Sequence, residues 1–247
     1  MKVGLFIPCY IDQFYPQVGV ATLRLLESLG VEVGFPLNQT CCGQPMANSG
    51  FEKLAQPCNE NFVENFRNFD YIVGPTGSCV LHVKDHLHSD RFPEEAERIR
   101  IHILELCEFL TDVLKINDLP KAYFPHKVGL HTGCHGQRGL GLSSASEIVG
   151  QSFSKTEQLL AMVKGLELVP LQQPDECCGF GGTFCVFEEA VSAKMGKDRV
   201  ADHVQHGAEY ITGGDVSCLM HLEGIVRRQK NPVQVLHIAE ILASGLV

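Results

Sequence analysis

Short apolar runs recur along the chain, separated by stretches whose apolar residues fall at helical spacing. Val3–Ile7 is the first run and ends in Pro8-Cys9, which places Cys9 just past the end of an expected strand. Pro16 then opens a helical pattern through Val18, Val20, Leu23, Leu25, Leu26 and Leu29, closed by Gly30. Val31–Phe35 reads as a second strand, followed by the adjacent pair Cys41-Cys42. A helix carrying Phe51, Leu54, Phe62 and Phe66 leads to a third strand at Asp70–Gly74. Beyond it lie Ser78, a candidate helix cap, and Cys79. A charged, solvated stretch at 90–98 precedes a fourth strand at Ile99–Ile103 and a helix at Leu104–Leu114. Strands alternating with helices in this way predict βαβ crossovers and a parallel sheet.

Between Lys115 and His126, Asn117, Pro120 and Pro125 break both periodicities, and the pattern then restarts. Lys127-Val128-Gly129-Leu130-His131-Thr132-Gly133-Cys134 echoes Lys2 to Cys9. Leu166–Leu171 before Cys177-Cys178-Gly179 echoes Val31–Phe35 before Cys41-Cys42-Gly43. Tyr210–Gly213 before Cys218 and His221 echoes Tyr71–Gly74 before Cys79 and His82, and Val233–Leu236 echoes Ile99–Ile103. The chain is an internal duplication. The expected architecture is α/β, with two tandem pseudo-symmetric modules at 1–120 and 121–247, each a parallel sheet flanked by helices.

Composition narrows the function. The 45% hydrophobic and 20% charged content is that of an ordinary globular protein. The apolar runs are far shorter than the roughly 20 residues that span a bilayer. The first residues carry no secretory signal pattern. A net charge of −9 argues against a nucleic-acid partner. Eleven cysteines without an export signal point to a reducing, cytoplasmic setting, in which cysteines serve as metal ligands or redox thiols.

Neighbouring thiols cannot easily bridge each other, so each vicinal pair is better used as two soft ligands directed into one site. In each half the cysteines follow three different strands, whose carboxyl ends share one edge of a parallel sheet. Cys9, Cys41, Cys42 and Cys79 are therefore expected to converge on one pocket, and Cys134, Cys177, Cys178 and Cys218 on an equivalent second one. Four thiolates repel one another unless a cation holds them, and helix N-termini at the same edge would offset part of the charge. Four cysteines suit an iron–sulfur cluster or zinc, and metal-free redox thiols are a third reading; the long spacings favour a cluster lying across several loops.

Other residues have weaker claims. Cys185, beyond a Gly181-Gly182 turn, is either an extra ligand or a thiol beside the site. Cys58 and Cys107 fall in helical patterns and are expected in the core. His131 and His135 flank Cys134 as candidate proton carriers or ordinary polar residues. Arg138 is a candidate for holding a substrate carboxylate, or a surface arginine. Gly179-Phe180-Gly181-Gly182 supplies backbone freedom to the cysteine loop rather than a phosphate cradle. No dinucleotide fingerprint, flavin motif, P-loop or Ser-His-Asp signature is present.

The arrangement Cys9-x31-Cys41-Cys42-x36-Cys79, repeated as Cys134-x42-Cys177-Cys178-x39-Cys218, resembles the duplicated cysteine-rich "CCG" domain. That family includes the B subunit of heterodisulfide reductase and iron–sulfur subunits of glycolate oxidase and anaerobic glycerol-3-phosphate dehydrogenase. The short chain and the stretch Cys177 to Cys185 resemble its stand-alone members that serve lactate utilization. The resemblance implies an iron–sulfur redox subunit of a cytosolic L-lactate-oxidising complex, with the eight cysteines passing electrons through one or two [4Fe–4S] clusters. Its implied partners are a ferredoxin-type iron–sulfur subunit, a third lactate-utilization subunit and L-lactate itself. The alternative is a heterodisulfide-reductase-like thiol–disulfide oxidoreductase, and a zinc-stapled scaffold is a third reading.

The sequence departs from heterodisulfide reductase in one systematic way. There each motif ends in Cys-x-x-Cys; here both end in Cys-x-x-His, at Cys79…His82 and Cys218…His221. Without a fifth cysteine the non-cubane cluster of that enzyme is not expected, and the balance moves toward the electron-transfer reading. Residues at i and i+3 share a helix face, so His82 and His221 are candidate ligands, or caps and hydrogen-bond donors beside the site.

Overall fold

The computed structural model describes residues 1–246. The sequence Lys-Val-Gly-Leu occurs twice as a strand, at Lys2–Leu5 (β1) and Lys127–Leu130 (β5), each with its first residue exposed and the next three buried. In the first sheet, β1 lies between Glu32–Gly34 (β2) and Tyr71–Gly74 (β3), with Ile103–Glu105 (β4) beyond β3. In the second, β5 lies between Glu167–Leu168 (β6) and Tyr210–Gly213 (β7), with Gln234–His237 (β8) beyond β7. All pairings are parallel, and the register repeats as well: Val3 pairs with Tyr71 and Val128 with Tyr210. Gly4 and Gly129 occupy the same place in the two halves. A Cβ on Gly4 would lie 2.9 Å from the Phe66 ring, and one on Gly129 would collide with His203, so a helix packs directly on each strand.

The two sheets with flanking helices are those read from the sequence, but three local expectations need correction. Ile99 is not in a strand. Pro93–His102 is a helix, with Ala96 and Ile99 buried and the charges of the 90–98 stretch on its outer face, and only Ile103–Glu105 forms β4. Ser78 does not cap the helix Gly77–His86 with its side chain; it lies inside the helix, after Thr76. Phe51 and Leu54, assigned to an apolar helix face, are exposed at the start of Glu52–Phe66.

The halves are locked together in two ways. One apolar cluster runs through both. It joins Val3, Leu5, Val18, Leu25 and Leu26 to Val128, Leu130, Leu160, Ile238, Ile241 and Leu242, and each such side chain contributes about 1.5–3 kcal/mol by leaving water. The helix Ile238–Leu242 packs on Pro16–Ser28 of the other half. The second lock is polar, where the loops after β3 and β7 meet. Gly77 N–H donates to Gly214 O at 3.1 Å, and Ser78 N–H to Asp215 Oδ2 at 2.7 Å.

Asp215 also caps its own helix, Val216–Gln229, by accepting from Ser217 N–H at 3.1 Å. One carboxylate thus satisfies the first turns of two helices from different halves. Asp215→Ala removes a cap and leaves the buried Ser78 N–H without a partner. The expected loss is about 2–4 kcal/mol, read as a lower denaturant midpoint at unchanged slope.

Candidate metal centre

Because every strand runs the same way, the loops after β1, β2 and β3 leave one edge of the first sheet, and those after β5, β6 and β7 the matching edge of the second. Cys9 begins the helix Cys9–Phe14, Cys41 and Cys42 lie in the turn before Gln44–Asn48, and Cys79 sits in the first turn of Gly77–His86. The structure brings these four thiols to the same place. The Cys9 thiol donates to Cys41 Sγ at 3.7 Å, and Cys42 and Cys79 lie near enough for their protonation to be linked to that pair. In the second group the sulfurs of Cys178 and Cys218 lie within 4.8 Å of each other, and the protonation of Cys134 and Cys177 is linked to theirs. All eleven cysteines are free thiols.

The electrostatics repeat too. Cys41 is held well below the ordinary thiol range by the thiols of Cys42 and Cys9 and by the Gly43 N–H, which lies 3.4 Å from its sulfur. Cys9 and Cys42 are pushed up by sharing protons with Cys41 and by burial. Cys177 is likewise depressed by Cys134, Cys178 and the Gly179 N–H at 3.4 Å, while Cys134 and Cys178 are raised. In each group the depressed cysteine is thus favoured as a thiolate by two neighbouring thiols that are pushed up. Deprotonating the rest would leave adjacent negative charges in a half-buried pocket, a state that only a cation compensates. Gly43 and Gly179, at φ +88° and +86°, turn their amides onto the sulfurs, a conformation a side chain would strain. Four soft donors with backbone N–H groups on the sulfurs fit an iron–sulfur cluster.

The remaining candidates separate by position. His82 is buried and close enough to Cys41 for each to feel the other's charge. Burial, and His86 at 5.0 Å between ring centroids, push it down to about 4. His221 turns elsewhere, with Nε2 3.3 Å from Ser192 O. Cys185 lies on a segment that leans across to the first half. Phe180 meets the Tyr10 ring at 6.3 Å, and the Tyr10 hydroxyl is pushed up by burial and by Cys9, Cys185, Cys41 and Cys79 together. His135 sits 3.9 Å from Cys134 Sγ at Nδ1. Arg138 is exposed and ion-paired with Glu147 at 2.9 Å. Cys107 is fully buried, as expected, but Cys58 is not core: it is half-buried, and burial and the nearby Cys41 push its thiol up.

Sequence reasoning missed the polar frame behind the second group. Arg199 is fully buried. It donates to His131 Nδ1 at 3.2 Å, to Leu130 O and Pro174 O at 3.1 Å each, to Gln173 O, and to Asp202 Oδ2 at 3.2 Å. It thereby ties the end of β5 to the loop that delivers Cys177 and Cys178. His131 places a ring nitrogen within 4.8 Å of the sulfurs of Cys178 and Cys218. The available signal was a charged residue on the buried stripe Ser192, Gly196, Arg199, His203 of the helix Glu189–Gln205.

In the first half the equivalent positions are hydrocarbon. Phe6 stands where His131 does, Phe66 packs on Gly4 as His203 packs on Gly129, and Phe62 lies one turn before Phe66, as Arg199 does before His203. Phe6 meets Phe62 edge-on at 4.9 Å and Phe66 at 5.9 Å.

Residues 3–84 and 128–223 match the cysteine-rich domain CCG. Over 251 residues the chain is 42% identical to lactate utilization protein A of Exiguobacterium sp., covering 99% of this chain and 98% of that protein. It is 42% identical over 246 residues to lactate utilization protein A of Geobacillus kaustophilus, covering 98% of each. A crystal structure of a hypothetical protein from Helicobacter pylori shares the fold, with a TM-score of 0.58 at 12% identity, covering 99% of this chain and 49% of that one.

Proposed function

The chain belongs to the family of lactate utilization protein A, built on two cysteine-rich domains, and from that premise we propose that it is an iron–sulfur redox subunit of an L-lactate-oxidising complex. The observation that carries this reading is the pair of four-thiol groups, repeated in contacts and in charge. Cys9, Cys41, Cys42 and Cys79 hold one [4Fe–4S] cluster, and Cys134, Cys177, Cys178 and Cys218 a second, in modules 1–120 and 121–247. Bound there, such clusters supply one-electron chemistry. The chain's own part is to fix the sulfurs, to direct backbone N–H groups of Gly43, Gly179 and Phe180 at them, and to exclude water by burying Cys42, Cys178 and Cys218. Among the described residues no helix is long and apolar enough to cross a membrane. The proposed setting is cytoplasmic, and the proposed partners are a ferredoxin-type iron–sulfur subunit and a third small subunit that contributes to lactate oxidation.

The test is iron, acid-labile sulfide and zinc per chain on anaerobically purified protein, with EPR of the reduced form. Iron with matching sulfide supports the proposal; stoichiometric zinc without sulfide makes the chain a zinc-stapled scaffold. The depressed Cys41 and Cys177 thiols favour one other reading, a thiol–disulfide oxidoreductase, because a thiolate is the nucleophile in disulfide exchange. That reading predicts turnover of a mixed-disulfide substrate by protein free of metal.

A further inference from the structure

Between the halves, beside the second thiol group, lies a cavity of about 30 Å³ lined by Glu105, His131, Ser143, Gly214 and Asp215, among others. Its volume is room for about two water molecules. Three of its lining side chains carry a buried polar atom with no protein partner: Glu105 Oε1, His131 Nε2 and Ser143 Oγ. Buried polar atoms are almost always satisfied, so three orphans around one cavity point to ordered water inside it. Glu105 is fully buried at the end of β4. Its other oxygen, Oε2, accepts from Cys107 N–H at 2.6 Å and from Glu108 N–H at 3.3 Å, which leaves Oε1 free toward Gly214.

We propose that this cavity is the proton store of the second thiol group, with Glu105 the residue that holds the proton; behind the first group the equivalent wall is phenylalanine. The inference rests on the reading of both thiol groups as cluster sites. Geometry supplies the path. Arg199 donates to His131 Nδ1, so the neutral ring carries its proton on Nε2, the nitrogen left without a partner. A polar wall thus runs from Glu105 across the cavity to a ring that comes within 4.8 Å of Cys178 and Cys218. The first group has the aromatic hydrocarbon of Phe6, Phe62 and Phe66 in the corresponding positions, which conducts no proton.

The charged and titratable groups around Glu105 are compatible with this role. Glu108 packs beside it and is paired with Lys84 at 3.0 Å. Asp215 is engaged by Ser78 and Ser217. Cys107 is a buried thiol pushed up by burial, and burial also pushes His237 down to about 4 and His131 down to about 3, so both rings are neutral. Burial, with Glu108 adding to it, pushes Glu105 up to about 8.

The sign follows. Below about pH 8 Glu105 is protonated whether or not the neighbouring site holds an extra electron. Above it, each electron gained there draws one proton from water onto the Glu105 carboxylate, and each electron lost releases one, so the combined charge of the centre and the cavity is unchanged. Any one-electron donor, such as dithionite or a reduced ferredoxin-type protein, serves as the reductant.

The experiment is a redox titration followed by EPR on the anaerobically loaded full chain from pH 6 to pH 10. Iron and sulfide contents, measured first, decide the cluster reading separately. One centre is expected to be flat below about pH 8 and then to fall with pH, and the other to lack that step. A one-proton coupling is a tenfold change per pH unit, about 59 mV for one electron. Glu105→Gln keeps the oxygen that accepts from Cys107 and Glu108 and is expected to abolish the slope. Two flat centres in the unaltered protein, or a slope that survives in E105Q, overturns the proposal. Should E105Q fail to fold, infrared spectra of the unaltered chain decide: a buried carboxylic-acid band present at pH 7 and lost above about pH 8 supports it, and no such band overturns it.

Discussion

Replacing Cys177 and Cys178 together with serine is expected to remove half of the bound iron and sulfide and one of two EPR signals, while the first centre stays intact. The two thiols are the hub of the second group: Cys177 is depressed by Cys134 and Cys178, and the sulfurs of Cys178 and Cys218 lie within 4.8 Å of each other. Serine keeps the size of the side chain but is a hard, weakly acidic ligand that a soft-metal site does not replace thiolate with. The first group shares no cysteine with the second, so its four sulfurs remain in place. The matching change at Cys41 and Cys42 should remove the other signal. Loss of all iron from either variant would mean that one assembly needs both groups, and unchanged iron would remove the cysteines from the metal site altogether. The variant that retains only the first centre also lacks the fall in potential above about pH 8 if Glu105 serves the second group alone.

The second large effect concerns the frame rather than the ligands. Arg199→Met is expected to destabilise the fold by about 3–5 kcal/mol, measured as the denaturant midpoint of unfolding. The methionine fills comparable space, but the guanidinium's partners lose their donor. The carbonyls of Leu130, Gln173 and Pro174, the His131 ring and the Asp202 carboxylate all face the emptied position. Asp202 keeps its bonds from the Gln172 and Gln173 amides at 3.0 Å, which holds the cost near the lower end. The loop before Cys177 loosens in the same variant, so iron at the second centre should fall while the first is retained. A fall at both centres in equal measure would assign Arg199 to global stability alone.

The parallel sheets and the two thiol groups were legible because their signals are local or repeated. Apolar runs bounded by glycine and proline mark β1, β3, β5 and β7, and each vicinal pair follows a strand. The helix Pro93–His102 was not legible as one, because only Ala96 and Ile99 of its ten residues are buried and the charges of its outer face mask that spacing. The frame was not legible for a different reason. Arg199 reaches His131 across 68 positions and Asp215 reaches Ser78 across 137, and nothing in either neighbourhood announces the partner. Cys58 was misplaced in the core because helical spacing cannot tell which helix face meets solvent, and the Gly43 loop packs so close to that helix that a Cβ on Gly43 would lie 3.6 Å from the Cys58 Cβ.

The shared core sets an order of events during synthesis. The first sheet is complete once residue 105 has been made, yet Val18, Leu25 and Leu26 wait for Ile238, Ile241 and Leu242 to cover them. The shared cluster therefore closes only after nearly the whole described chain has been made, whereas Phe6, Phe62, Phe66 and Ile72 pack within the first half alone. The thiols of the first half are made early and stay on an unfinished scaffold meanwhile, open to oxidation or to the wrong ion. On the proposed reading, cofactor delivery to this protein follows translation, because the core that joins the two halves is completed last.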